Sequence, residues 1–325
     1  MHRRAILATL ALATSTLAFA QEYPSRPITF VLPAPPAGPT DTVARALADV
    51  MGKSMKQSIV VDNKPGASGL LGAQTVARAA PDGYTVLIAH STPIYYAPYI
   101  FSKVPYDVQR DFSFITEIAS GSLVYAVTND VPARNMKEFI GWAQKNKGKV
   151  NYGSYGVGSS SHLLNAYFSN SQKLDMNHVA YKGESFMVND LLGGQIPVAI
   201  GTLGTLGTMA PFLADGKLRA LAVIGEHRLK NLPDVPTMAE AGFPDAAYKP
   251  LAGLVMMAPA GVPAPVLARL EKEARAAIQS PQVQARFQVF GLVGIGNSGA
   301  EFRRNLEASG PLIQNLVKIS GFKAE

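Results

Sequence analysis

The strongest constraint on the fold is the way strands are handed to helices. Pro27–Leu32, PITFVL, is apolar and β-branched like a strand covered on both faces. The segment after Asp41, TVARALADVM, sets Val43, Ala46, Leu47, Val50 and Met51 on one helical face, at i, i+3, i+4, i+7 and i+8. Thr40 or Asp41 is placed to cap that helix. The same grammar recurs. A strand SIVVDN, a turn KPGASG, a helix over Leu70–Ala79 and a strand from Tyr84 to Ala89 follow, and then a tyrosine-rich segment, IYYAPYI. From LVYAV the pattern restarts, with a helix near Met136–Lys145, strand VNYGS, a helix from His162 to about Ser169, strand NHVAY, a helix over Phe186–Leu192, strand IPVAI and strand LRALAVI. KPLAGLVMMAPAGVP then returns to the first block, followed by a helix at Pro265–Ile278 and a short terminal helix from about Ala300. Such alternation predicts α/β layers with largely parallel sheets in two blocks, and a cleft between the blocks is a natural ligand site.

The first residues, MHRRAILATLALATSTLAFAQ, have a basic head, an apolar stretch and Ala18-Phe19-Ala20 before Gln21, the pattern of a secretory signal peptide over residues 1–20. Its removal takes Arg3 and Arg4 from a formal charge of +7 and leaves +5. That modest excess suits an anionic small molecule and lacks the clustered basic stripe of a nucleic-acid binder. There is no cysteine, so an exported chain of this kind must hold together through its core. Ile196–Ala214 and Leu251–Ala268 are free of charge, but GTLGTLGTMAP and APAGVPAP break them, so they read as interior turns rather than membrane spans.

Four strand-to-loop junctions, APPAGPTD, AHSTP, GSYGVGSSSH and GTLGT, are almost uncharged and rich in Gly, Ser and Thr. In open α/β sheets ligands sit beyond the carboxyl ends of the strands, where the first turns of helices offer unpaired N–H groups to an anion. Each loop alone reads first as an ordinary cap or turn; four together in a two-block exported chain favour binding. Ser159–His162 invites a hydrolase reading, but adjacent Ser and His do not make a triad and no G-x-S-x-G elbow occurs. The histidines left after leader removal, His90, His162, His178 and His227, have no metal-ligand spacing. His178 reads as structural, and His90, beside Ser91 and Thr92, as a ligand contact. GVGSSS is not a P-loop. No catalytic residue, metal or cofactor is expected.

YPSRPITFVLPAPPAGPTD, VVDNKPGASGLLGAQTVARAAPDGYTVLIA, VNYGSYGVGSSSHL, AYKGE, DLLGGQIPVAI, LPDVPTMAEAGFP and APAGVPAPVLARL, in that order, resemble the Bug family, the TctC-like receptors of tripartite tricarboxylate transporters. The resemblance implies a type II periplasmic binding protein of Venus-flytrap form, with two α/β lobes joined by two crossing strands: lobe 1 over 21–122 plus 252–325, lobe 2 over 123–251. It further implies a periplasmic monomer that closes on a small organic carboxylate and delivers it to membrane carrier subunits. By motif position the ligand falls to Ala37, Gly38, Thr40 and Asp41, and to Ser154, Gly158, Ser159 and Ser160. Asp41 is read as orienting its loop, since a bare carboxylate would repel an anion. His90, Ser91, Thr92 and Thr202 complete the expected set from the other two loops. Three positions depart from the family pattern: Ala37 replaces a glycine, Val157 a frequent Asn, and Gly201 a frequent Asp. The last change removes a negative charge from the cleft wall and so points to a carboxylate without an amine. Tyr95, Tyr96, Tyr155 and Phe186 suggest an aromatic, phthalate-like carboxylate as a special case, with aliphatic dicarboxylates as the alternative and an exported hydrolase as the reading from another class.

Overall fold

The computed structural model describes residues 23–203, 209–229, 231–249 and 252–321. The expected leader, 1–20, lies outside the described residues. The first block runs β1 (Ile28–Leu32), α1 (Pro39–Met55), β2 (Ile59–Asn63), α2 (Leu70–Ala77), β3 (Thr85–His90), α3 (Ala97–Ile100) and β4 (Phe112–Gly121). The second runs β5 (Leu123–Thr128), α4 (Met136–Lys145), β6 (Asn151–Ser154), α5 (Ser160–Ser171), β7 (Asn177–Ala180), α6 (Glu184–Leu192), β8 (Val198–Thr202), α7 (Ala210–Ala214) and β9 (Leu218–Ile224). β10 (Ala252–Pro259), α8 (Ala264–Ile278), α9 (Pro281–Phe290), β11 (Leu292–Gly294) and α10 (Gly299–Ser320) close the chain.

Local chemistry explains the helix ends. Gly38 is the N-cap of α1, Pro39 fills the first helical position, where a missing N–H costs nothing, and Asp41 lies in the first turn. Val43, Ala44, Leu47, Ala48, Met51 and Met55 form the buried face against the first sheet. Asn135 caps α4 by accepting from the Glu138 N–H, and Ser298 and Glu301 form a reciprocal capping box on α10.

The strands make two sheets, ordered β11-β4-β10-β3-β1-β2 and β7-β6-β8-β5-β9. Both are mixed rather than largely parallel. β1 pairs parallel with β2 and β3, and β6 with β7 and β8. β10 and β5, however, run antiparallel to both of their neighbours. These are the strands by which the chain enters one sheet from the other, so no crossover helix sets their direction. Ser122 alone separates β4 from β5, and residues 225–251 carry the return from β9 to β10.

α10 is not short: it spans 22 residues and runs through Gly310 and Pro311. That pair reads as a stop in sequence. Here a Cβ at Gly310 would come 2.5 Å from the Tyr99 hydroxyl, so glycine lets the helix pass close to the Ala97–Ile100 segment. Phe302, Leu306, Ile313 and Leu316 of α10 share one apolar cluster with Leu163, Leu164 and Phe168 of α5. Asn170 Nδ2 donates to the Ser320 carbonyl at 2.6 Å, fixing the far end against the second sheet's layer. Among the described residues no helix is long and apolar enough to cross a membrane.

Candidate functional site

The loop from β1 to α1 is shaped by Asp41. Its carboxylate is buried and accepts from the Ala37 N–H at 3.0 Å, from Asn63 Nδ2 at 3.0 Å, and from Arg45 Nε and Nη2, each at 2.9 Å. Desolvation pushes the Asp41 pKa up, but the hydrogen bonds from Arg45, Ala37 and Asn63 outweigh it and hold the group below its ordinary value. Asp41 therefore holds Ala37 in a left-handed conformation, φ 65°. The Ala37 N–H, expected to face a ligand, is thereby taken by Asp41. In the first turn of α1 the N–H groups of Thr40 and Asp41 meet no protein acceptor among the described residues, and these remain as the donors of the loop. His90 ties the end of β3 to the same loop. Its Nδ1 accepts from the Thr92 N–H at 3.2 Å and the ring bonds to the Pro33 backbone, while burial pushes its pKa down to about 4. A neutral imidazole in this place braces two loops, and Ser91 is half-buried beside it.

The second loop, between β6 and α5, is built on stacked rings. The imidazoles of His162 and His178 stack at 3.7 Å with 8° between planes, and Tyr152 lies on His178 at 5.2 Å. Burial drives His162 to about 3, helped by His178, and burial alone drives His178 to about 4, so both are neutral. Gly158 donates its N–H to His162 Nδ1 at 3.1 Å. Two expected ligand hydroxyls are turned into this scaffold. Ser154 is fully buried, and its Oγ bonds His178 Nε2 at 2.7 Å and the Gly156 carbonyl at 3.0 Å. Ser159 Oγ donates to the Gly156 carbonyl at 2.7 Å and caps α5 by accepting from the His162 N–H. Both serve the loop instead of offering a free hydroxyl, because a serine before a helix satisfies nearby backbone first. Ser160, half-buried, pairs its Oγ with the Tyr155 hydroxyl at 2.5 Å.

The second of these loops meets the first block at the KPGASG turn and at Ile100 of α3. Ser68 Oγ donates to the Val157 carbonyl at 3.4 Å, and a Cβ on Gly158 (φ 72°) would stand 2.1 Å from Ile100 Cδ1. Tyr96 lies close enough to Tyr155 for the Tyr96 hydroxyl to feel it. Ala67 and Ser68, both left-handed at φ 46° and 54°, bring the KPGASG turn to this seam, although it reads as a plain connector in sequence. Tyr95 is not in the cleft. Its ring stacks on Phe302 and its hydroxyl bonds Glu117 at 2.5 Å inside the first core. Phe186 is 62% exposed, so the aromatic platform reduces to Tyr96 and Tyr155. A shallow hollow of about 680 Å³, lined by Arg45, Lys53, Lys56 and Ile59 along α1 and β2, shares none of the expected ligand residues.

The fourth loop overturns the reasoning from Gly201. The space a side chain there would enter holds a carboxylate from elsewhere: a Cβ on Gly201 would stand 2.7 Å from Glu184 Oε1. Glu184 Oε2 accepts from Thr202 Oγ1 at 2.8 Å and Oε1 accepts from the Thr202 N–H. Burial raises the Glu184 pKa to about 7, against the lowering effect of both Thr202 hydrogen bonds. The negative charge is moved, not deleted. Glu184 and Tyr155 are heavily desolvated yet keep some accessible surface, as groups lining an internal cleft do. KGE follows a strand just as the four uncharged loops do, and that position was the available signal for Glu184.

Comparison with known proteins decides the family. A profile described as "Tripartite tricarboxylate transporter family receptor" matches residues 43–316. The chain belongs to this receptor family. A relative from Pseudomonas sp. strain P51, the UPF0065 protein of the tcbD-tcbE intergenic region, is 35% identical over 301 residues, 91% of this chain and 88% of the relative. The periplasmic binding protein BugD superposes with a TM-score of 0.81 at 31% identity, over 93% of this receptor and all of BugD. An R. palustris protein solved with adipate gives 0.85 at 29% identity, over 94% of this receptor and all of that chain. The receptor thus has the two-lobed α/β architecture of periplasmic binding proteins, and its family and fold are those of solute-binding receptors rather than enzymes.

Proposed function

We propose that this receptor captures a small organic carboxylate between its two lobes, 23–122 with 252–321 on one side and 123–249 on the other, and delivers it from the periplasm to membrane carrier subunits. What supports the reading is a helix start in each lobe, the second held against the first lobe at Ser68 and Ile100. Thr40 and Asp41 offer N–H groups from the first turn of α1, and Ser160 opens α5 in the other lobe. Neutral dipoles held in place by Asp41 and by the stacked histidines bind an anion with little reorganisation. Ser160, Tyr155 and Thr92 supply polar side groups around it. The adipate held by the R. palustris relative supports this ligand class.

Titration calorimetry of the mature chain, as a monomer, against C4 to C7 aliphatic dicarboxylates and their 2-amino counterparts tests the proposal. Binding to at least one is expected, with only mild weakening as salt rises, because formal ion pairs with protein cations are not involved. Absence of heat and of any melting-temperature shift across the series, or chemical turnover of the solute, would refute it.

A further inference from the structure

Glu184 has no place in a site made only for anions. Its two oxygens accept two hydrogen bonds from the single residue Thr202, an arrangement that suits the ionised form. Among the described residues no lysine, arginine or histidine lies within ion-pair range of it, and Lys182, two residues earlier, is exposed. Segment 204–208, Gly-Thr-Leu-Gly-Thr, carries no charge. Around the carboxylate stand Tyr155, whose hydroxyl is occupied with Ser160 Oγ, and the Met187 and Met209 methyls that border Gly201 with it. A desolvated carboxylate without a cation is costly, and a structure keeps one where a cation arrives from outside.

We infer that Glu184 is a specificity-determining residue, the counter-ion for a protonated amine on the ligand, so that the preferred solute is an amino-bearing carboxylate. The inference rests on the interlobe carboxylate site proposed above: the helix starts take the carboxylate, and Glu184 takes the ammonium. Its desolvation, which raises the pKa to about 7, is relieved when that ammonium arrives. Gly201 is part of the device, since a carboxylate from position 184 or from position 201 can occupy that corner but not both.

Chain-matched pairs test it: succinate with aspartate, glutarate with glutamate, and adipate with 2-aminoadipate, titrated into the mature protein at pH 7.5. In at least one pair the amino member binds more than tenfold tighter. Glu184→Gln keeps the shape and removes the charge, its oxygen accepting from the Thr202 N–H and its amide donating to a reoriented Thr202 hydroxyl, so the amino member weakens at least tenfold and the plain diacid gains. Glu184→Ser combined with Gly201→Asp returns the carboxylate from the other side and restores the amine preference. Diacids that bind the wild type as well as their amino partners do, with Glu184→Gln leaving the ratio unchanged, would overturn the inference while sparing the carboxylate site. If no member of any pair binds, both fall together.

Discussion

Gly158 packs against Ile100 at the end of α3, and this contact makes a quantitative prediction for Gly158→Ala. An alanine Cβ would stand 2.1 Å from Ile100 Cδ1, where ordinary contact begins at 3.4 Å, so one partner must move by more than an ångström. Two costs add. Holding a non-glycine residue at the left-handed φ of 72° costs roughly 1–2 kcal/mol. Forcing extra volume against the fully buried Ile100 costs about 1–3 kcal/mol. Ile100→Val removes Cδ1 for roughly 0.5–1.5 kcal/mol, and leaves Cγ1 as the nearest atom, at 3.4 Å from the new Cβ. The double variant should therefore recover the steric part, giving a coupling of about 1–3 kcal/mol. Urea unfolding of the wild type, the two single variants and the double variant at one pH and salt measures it. Additivity within error would refute the reasoning, because it would mean that Gly158 and Ile100 do not touch as described.

Two further outcomes follow from the buried titratable groups. Asp41→Ala strips an acceptor from the Ala37 N–H and the Asn63 amide, and should cost about 1–3 kcal/mol. The Arg45 side chain is 53% exposed, so its ion pair adds little to that figure. Because the folded Asp41 pKa is depressed, this stabilisation is present above the ordinary aspartate range and is lost as pH falls through the folded value; the variant's melting temperature should show a shallower acid slope. The histidine stack acts higher. His162 and His178 are held at about 3 and 4 against an ordinary 6.5, so they contribute fully above pH 6.5 and lose that contribution as pH falls toward 4 and 3. His178→Gln should flatten the melting curve over that window. Glu184, raised to about 7 from 4.5, works in the opposite sense between those values and must be subtracted by running Glu184→Gln alongside.

Much of the architecture is legible in the sequence because its signals are local. Apolar runs mark the strands and i, i+3, i+4 spacing marks α1, although its N-cap is Gly38 rather than the expected Thr40 or Asp41. What escapes reading depends on partners far along the chain. The antiparallel sense of β5 and β10 follows from which sheet the chain has just left, and no residue within either strand encodes it. Gly310-Pro311 looks like a helix end until Tyr99 is seen against it.

Side-chain direction is harder still, and it divides the candidate site. Ser154 and Ser160 are both exposed-looking hydroxyls in one loop, yet His178 draws the first inward while Tyr155 keeps the second at the cleft. Glu184 opens α6 and Thr202 ends β8, so their pairing spans 18 residues and is invisible in AYKGE. The uncharged loops on their own would accept any small carboxylate. If Glu184 is the counter-ion inferred above, a plain dianion meets repulsion at that corner, while a ligand with an ammonium group turns the same charge into attraction.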